Sequence, residues 1–272
     1  MQRSTAASPA SPVSLLCASL LCGCGALTRE EARDALEEIE ISSQAQALTS
    51  NSVELSTDFT IREGAQSAAE ELRDFIAAEL PCAEITLSPG QLGIEYGARP
   101  GDCSYRGQRY QGQHLINVSR NDADQVIVDH VWNALGNGRV RVDGTATVTW
   151  SRADQTRHVV HEAQWTRIID GRTGEGSGDR LQRPLGSGFA EGFGVDGERE
   201  WRGQTGHWEL VMSGVEMRWA DPVPQAGRYT LDTPYDESLS ATFTRTGDTR
   251  IRVTIAGKRR SFDFDVNTLS DE

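Results

Sequence analysis

Lysine is all but missing from this chain. Of 27 basic residues only Lys258 is a lysine and the rest are arginines, set against 40 acidic residues for a formal charge of −13. That shortage of positive charge argues against non-specific binding to nucleic acid or to an anionic bilayer surface. Long apolar runs are scarce as well. The stretch from Val13 to Gly23 has eleven residues, against the roughly 20 that a helix needs to cross about 30 Å of hydrocarbon. Catalytic spellings are missing too. There is no G-x-S-x-G elbow, no glycine-rich phosphate loop leading from a strand into a helix, and no histidine partnered by motif with Cys82 or Cys103. No catalytic residue, cofactor or metal is therefore assigned.

What is present still supports a folded body. The apolar fraction, 37%, is low and the 27 glycines imply many turns, but six tryptophans and alternating valines supply a core and exclude wholesale disorder. At 272 residues the chain is long enough for one large β domain or two ordinary ones. Arginine's planar fork suits phosphate or carboxylate. The arginines are scattered, however, which reads as arginine-biased coding.

The first 24 residues fix an expected location. Arg3 precedes the apolar stretch, which has the length of a secretion signal's core. Leu21-Cys22-Gly23-Cys24 then resembles the lipobox of bacterial lipoproteins, with leucine at −3 and a small residue at −1. The resemblance implies cleavage before Cys24, a diacylglyceryl group on its thiol and acyl chains such as palmitate. Cys22 fits less well, because Leu21 is too large for the −1 position. Gly25 in place of an aspartate implies the outer membrane. The expected membrane partner is thus engaged through lipid: two acyl chains already give stable anchoring at about 0.8 kcal/mol per buried CH₂. Cys82 and Cys103 remain, an even number that reads as a disulfide in an exported chain. Closing a loop of about 22 residues contributes roughly 3 kcal/mol on the chain-entropy account.

Thr28-Arg29-Glu30-Glu31 reads as a capping box opening a helix with Ala32, Ala35, Leu36 and Ile39 at helical spacing. That helix is expected to fray through the polar stretch Ser42 to Ser52, leaving either a tether or a docked helix. Thr60-Ile61-Arg62-Glu63 repeats the signal. Ala65, Ala68, Ala69, Leu72, Phe75, Ile76 and Leu80 form a stripe behind it, stopped by Pro81. The predicted organisation is a signal peptide over 1–23, an anchored helical or tether segment over 24–60 and a single helix-plus-antiparallel-β domain over 61–272.

From Glu84 onward about twelve strands are expected. Val140, Val142, Gly144, Ala146, Val148 and Trp150 alternate with polar residues, the period of a sheet with one dry face. Val126, Val128, His130 and Trp132 extend the pattern, as do Val159, His161, Ala163 and Trp165, then Trp208, Leu210 and Met212. The last set is Phe243, Ile251, Val253, Ile255, Phe262, Phe264 and Val266. Turns are predicted at Gly136-Asn137-Gly138, Asp170-Gly171, Asp196-Gly197, Gly247-Asp248 and Gly257-Lys258. The fold class is mainly β (α+β): an antiparallel meander curled into a barrel or half-barrel, with a β-sandwich as the alternative.

Three local patterns look like sites and are read as structure. His158 and His161 would bind a metal together only on a helix; on a strand they face opposite ways, and His161 reads as a core residue. Gly174 to Asp179, GEGSGD, reads as a hairpin loop rather than a calcium turn. Asp263 and Asp265 read as a strand's wet face, and the Asn121–Asp124 turn lacks a calcium loop's length.

The lipobox, the helix ending Leu80-Pro81-Cys82 and the run GVEMRWADPVPQAGRYTL together resemble lipoproteins of myxobacteria and related soil bacteria. That group has no assigned activity, so the resemblance implies none. Three functions stay open: a non-enzymatic envelope lipoprotein that binds or scaffolds an envelope protein, a carrier of lipid or another apolar ligand, and a glycan-acting hydrolase. A carrier would leave an open cavity lined by Trp132, Trp150, Trp165, Trp208 and Phe243; a scaffold would fill it.

Overall fold

The computed structural model describes residues 29–57, 65–105, 107–121, 125–151 and 153–268. Cys24 with its lipobox, the caps at Thr28 and Thr60, and Asp122 to Asp124 lie outside the described residues. Two helices come first, α1 (Arg29–Thr57) and α2 (Ala65–Glu79). Next come β1 (Glu84–Ser88), β2 (Gln91–Tyr96), β3 (Ser104–Tyr105), β4 (Gln108–Arg109), β5 (Gln111–Arg120), β6 (Val126–Gly136) and β7 (Val140–Ser151). The remaining strands are β8 (Thr156–Arg167), β9 (Thr173–Leu185), β10 (Gly188–Gly203), β11 (Gly206–Arg218), β12 (Ala226–Asp232), β13 (Ser238–Gly247), β14 (Arg250–Ala256) and β15 (Ser261–Asn267).

All but β3 and β4 join one 13-stranded antiparallel sheet in chain order. The meander follows from the short connections, which leave each strand no partner nearer than the next. The edges β1 and β15 do not pair, so the closed barrel is corrected to an open sheet, consistent with a half-barrel or a sandwich. The last strand shows why closure stops. Phe262 and Phe264 lie opposite Ile255 and Val253 on the dry side, yet they are exposed. Asp265 and Asp263 hold Arg252 and Thr254 on the other side. A charged strand of this kind blunts a sheet edge.

The predicted alternation holds through the middle of the sheet. Val140, Val142, Ala146 and Val148 are buried, as are Val128, Trp132, Val159 and Trp165. Both helices cover this face. α2 buries Ala69, Leu72 and Ile76, with Leu80 just past its end, against β1, β2 and β5, and the Cys82–Cys103 disulfide fastens that end to the strands beyond. α1 does not fray. It runs unbroken for 29 residues, and Ser42, Ala45, Leu48, Thr49 and Ser52 are buried. Hydroxyls in this stretch bond back to the helix itself, Thr49 Oγ1 to the Ala45 carbonyl (3.1 Å) and Ser52 Oγ to that of Thr49 (2.8 Å). Glu37 meets Arg167 at one end of β8 and Glu54 meets Arg157 at the other, so α1 lies lengthwise along the strands.

GEGSGD is not a loop. Gly174, Gly176 and Gly178 are successive inward positions of β9, left bare because neighbouring rings occupy the space. A Cβ at Gly174 would come within 2.7 Å of Trp165, one at Gly176 within 2.9 Å of Trp201 and one at Gly178 within 2.4 Å of His161. Asp196-Gly197 is not a turn either; it forms a bulge within β10, with Gly197 at φ +142 and Asp196 Oδ1 accepting the Gly214 amide at 2.6 Å.

Candidate functional site: a cavity beneath the long helix

The predicted aromatic lining divides into two groups. Trp132 and Trp165 are buried and fill the core between the helices and β6–β8, while half-buried Trp150 packs its edge on Phe189 (5.2 Å). These three are absent from the lining of the cavity beneath α1. Trp208 and Phe243 line a cavity of about 430 Å³ between α1 and the inner faces of β8–β14, partly open to solvent. The volume lies within the range of ligand pockets, roughly 300–1,000 Å³. Trp201, which the sequence reading missed, stacks flat on Trp208 with ring centres 5.6 Å apart and planes 3° apart. It escaped notice because β10's glycines and bulge break the alternation that would place it.

The walls are mainly apolar: Ala35, Leu36 and Ile39 from α1, Val195 from β10, Leu210 and Met212 from β11, Leu231 from β12, Phe243 from β13 and Ile255 from β14. Beyond β11 the inner face carries its own small cluster around Ala241, Phe243, Val253 and Ile255. Among the described residues no helix packs on this end, and space remains there. The same short reach of α1 that opens the cavity also leaves β15 uncovered.

Three arginines that looked scattered in sequence converge on the inner face: Arg157 of β8, Arg180 of β9 and Arg199 of β10. Arg157, fully buried, pairs with Glu54 of α1 and bonds Gln182, its guanidinium lying 4.4 Å from the centre of the Phe189 ring. Arg199 is buried, donates to the Ser42 carbonyl (3.0 Å) and hydroxyl, and sits 4.7 Å over Trp201. Half-buried Arg180 reaches Ser50 Oγ at 3.4 Å, and its Nε has no hydrogen-bond partner among the described residues. Burial is the main force lowering both pKa values, to about 10 for Arg180 and about 9 for Arg199. Repulsion between the two adds to it at Arg199, so both stay charged at neutral pH.

His161 occupies the same row, facing Gly178 across the β8–β9 ladder, and burial with the two nearby guanidiniums holds it neutral, its pKa down to about 3. His158 points the other way, to Asp179 (2.5 Å), as a strand requires. Under α2 the register brings together two more histidines: Tyr96 Oη lies 3.2 Å from His114 Nδ1, and His114 Nε2 lies 2.9 Å from His130 Nδ1. Burial holds both imidazoles neutral, His130 down to about 3. The inward position of His130 was readable from the alternation; that of His114, and the diagonal pairing, needed the register. Among the described residues no group of three or more His, Cys, Asp or Glu side chains is placed to hold a metal.

The chain matches no protein family, curated protein or solved structure. Its cavity therefore has to be read from its own chemistry. No described helix is long and apolar enough to cross a membrane.

Proposed function

We propose that the protein is a non-enzymatic envelope lipoprotein, tethered through Cys24, whose open sheet carries an apolar ligand beneath α1. The observation that supports a carrier over a filled scaffold is the 430 Å³ cavity with Trp208 and Phe243 in its wall. A scaffold of this architecture would pack the space; unfilled apolar volume costs stability in proportion to its size. The lipobox supports the tether and the outer-membrane destination, and acyl anchoring would leave the cavity free for cargo.

Binding of the neutral dye Nile red to the full chain carrying Cys24→Ala tests the cavity. Saturable binding that falls at least about tenfold with Ala241→Trp, which plugs the wall, supports the carrier; unchanged binding by the folded variant contradicts it. Metabolic labelling with a fatty-acid analogue tests the anchor, and label that persists in Cys24→Ala refutes attachment there.

A second reading draws on an outer-face groove lined by Asp143, Glu162, Glu175 and Glu200. A glycan-acting hydrolase needs two carboxylates about 5–10 Å apart across a cleft. Glycan turnover abolished by Glu162→Gln would favour it over the carrier.

A further inference from the structure

Resting on the carrier reading, we infer that the ligand is an amphiphile with an anionic head, an acyl chain ending in carboxylate or phosphate, its head held between Arg180 and Arg199. The cavity wall is mainly apolar, and around Arg180 and Arg199 its charges do not balance. Its wall contains two carboxylates, Glu54 and Glu237. Glu54 is taken by Arg157, and Glu237 faces Lys258 at 3.8 Å. Neither Arg180 nor Arg199 forms an ion pair with a carboxylate among the described residues. Glu54 tempers Arg180 only at longer range. An unpaired charge in such surroundings is costly unless something neutralises it.

The sheet register sets the geometry. Arg180 lies opposite Gly197 and Arg199 opposite Gly178, so the two guanidiniums rise from one face on adjacent strands as diagonal neighbours, about 7–8 Å apart at the backbone. Gly178 and Gly197 carry no side chains of their own, and the ring of His161 lies over Gly178 beside the two arginines. A carboxylate or phosphate oxygen set can bridge two such forks. From there a chain would run over Trp208 and Leu210 towards Leu231 and Phe243, all of them cavity wall.

The test uses the full chain carrying Cys24→Ala and two fluorescent probes that differ only at the head, cis-parinaric acid and its methyl ester. The acid is expected to bind at least about tenfold more tightly than the ester. Arg180→Met should shrink that ratio to about threefold or less, and Arg180→Lys should restore part of it. Arg199→Met is expected to act likewise, with circular dichroism confirming the fold of each variant. Displacement by oleate or by oleoyl lysophosphatidate identifies a carboxylate or a phosphate head, and either supports the inference. Equal binding of acid and ester overturns the anionic head while leaving an apolar carrier intact. A preference that survives both arginine variants overturns the assignment to this pair. Failure of both probes to bind overturns this inference and the carrier reading together.

Discussion

At the scale of single residues, the tie between Arg157 and Glu54 decides whether α1 stays on the sheet. Both side chains are almost wholly sealed, at 0% and 7% exposure. Removing one partner of a buried pair strands the other charge, at a cost of about 3–5 kcal/mol. Arg157→Ala should therefore lower the unfolding free energy by that amount in urea denaturation. Replacing both partners together, as Arg157→Met with Glu54→Leu, should recover most of the loss. A single variant as stable as the parent would show that the pair does not hold the helix. Trp150 and Phe189 flank the same guanidinium, so some of the loss is packing rather than charge.

At the scale of elements, β9 carries the sharpest steric demand. Gly178→Val would drive a branched side chain into the His161 ring, where even a Cβ finds only 2.4 Å. Overpacking of this kind costs about 1–3 kcal/mol. A lowered urea midpoint is expected, and an unchanged one would mean that the rings can move aside. The same strand marks where sequence reasoning ran out. Strands such as β7 were legible because apolar or small residues alternate with polar ones without interruption. β9 was not, since glycine at its first three inward positions, 174, 176 and 178, looks like a loop until the rings that need the space are seen. α1 posed the converse problem: serine and threonine between 42 and 52 read as fraying, yet their buried hydroxyls bond within the helix. Of the cavity, Trp208 and Phe243 were legible from alternation. Trp201 and the arginine pair were not, because only register brings Arg180 and Arg199 side by side.

For the whole molecule, three buried neutral histidines tie stability to acidity. Burial lowers the folded-state pKa of His130 and His161 to about 3, and that of His114 well below its ordinary value. Between the ordinary histidine value of about 6.5 and those lowered values, the unfolded chain takes up protons that the folded one refuses. Stability is therefore complete above pH 6.5 and falls as pH drops from there towards 3, by about 1.4 kcal/mol per unit for each histidine. Urea midpoints measured from pH 7.5 to 4.5 should decline, and His130→Gln should decline less steeply than the parent. A flat profile would place these imidazoles in contact with water.

Among the described residues, the architecture is a thirteen-stranded sheet with two helices over one part of its dry face and the rest left as the wall of a cavity. Native mass spectrometry of the purified full-length protein tests whether that cavity carries cargo. The account predicts a bound species of defined mass, released by mild activation and carrying one acid group. Repeated preparations at the bare mass of the protein, including any covalent anchor, would contradict it.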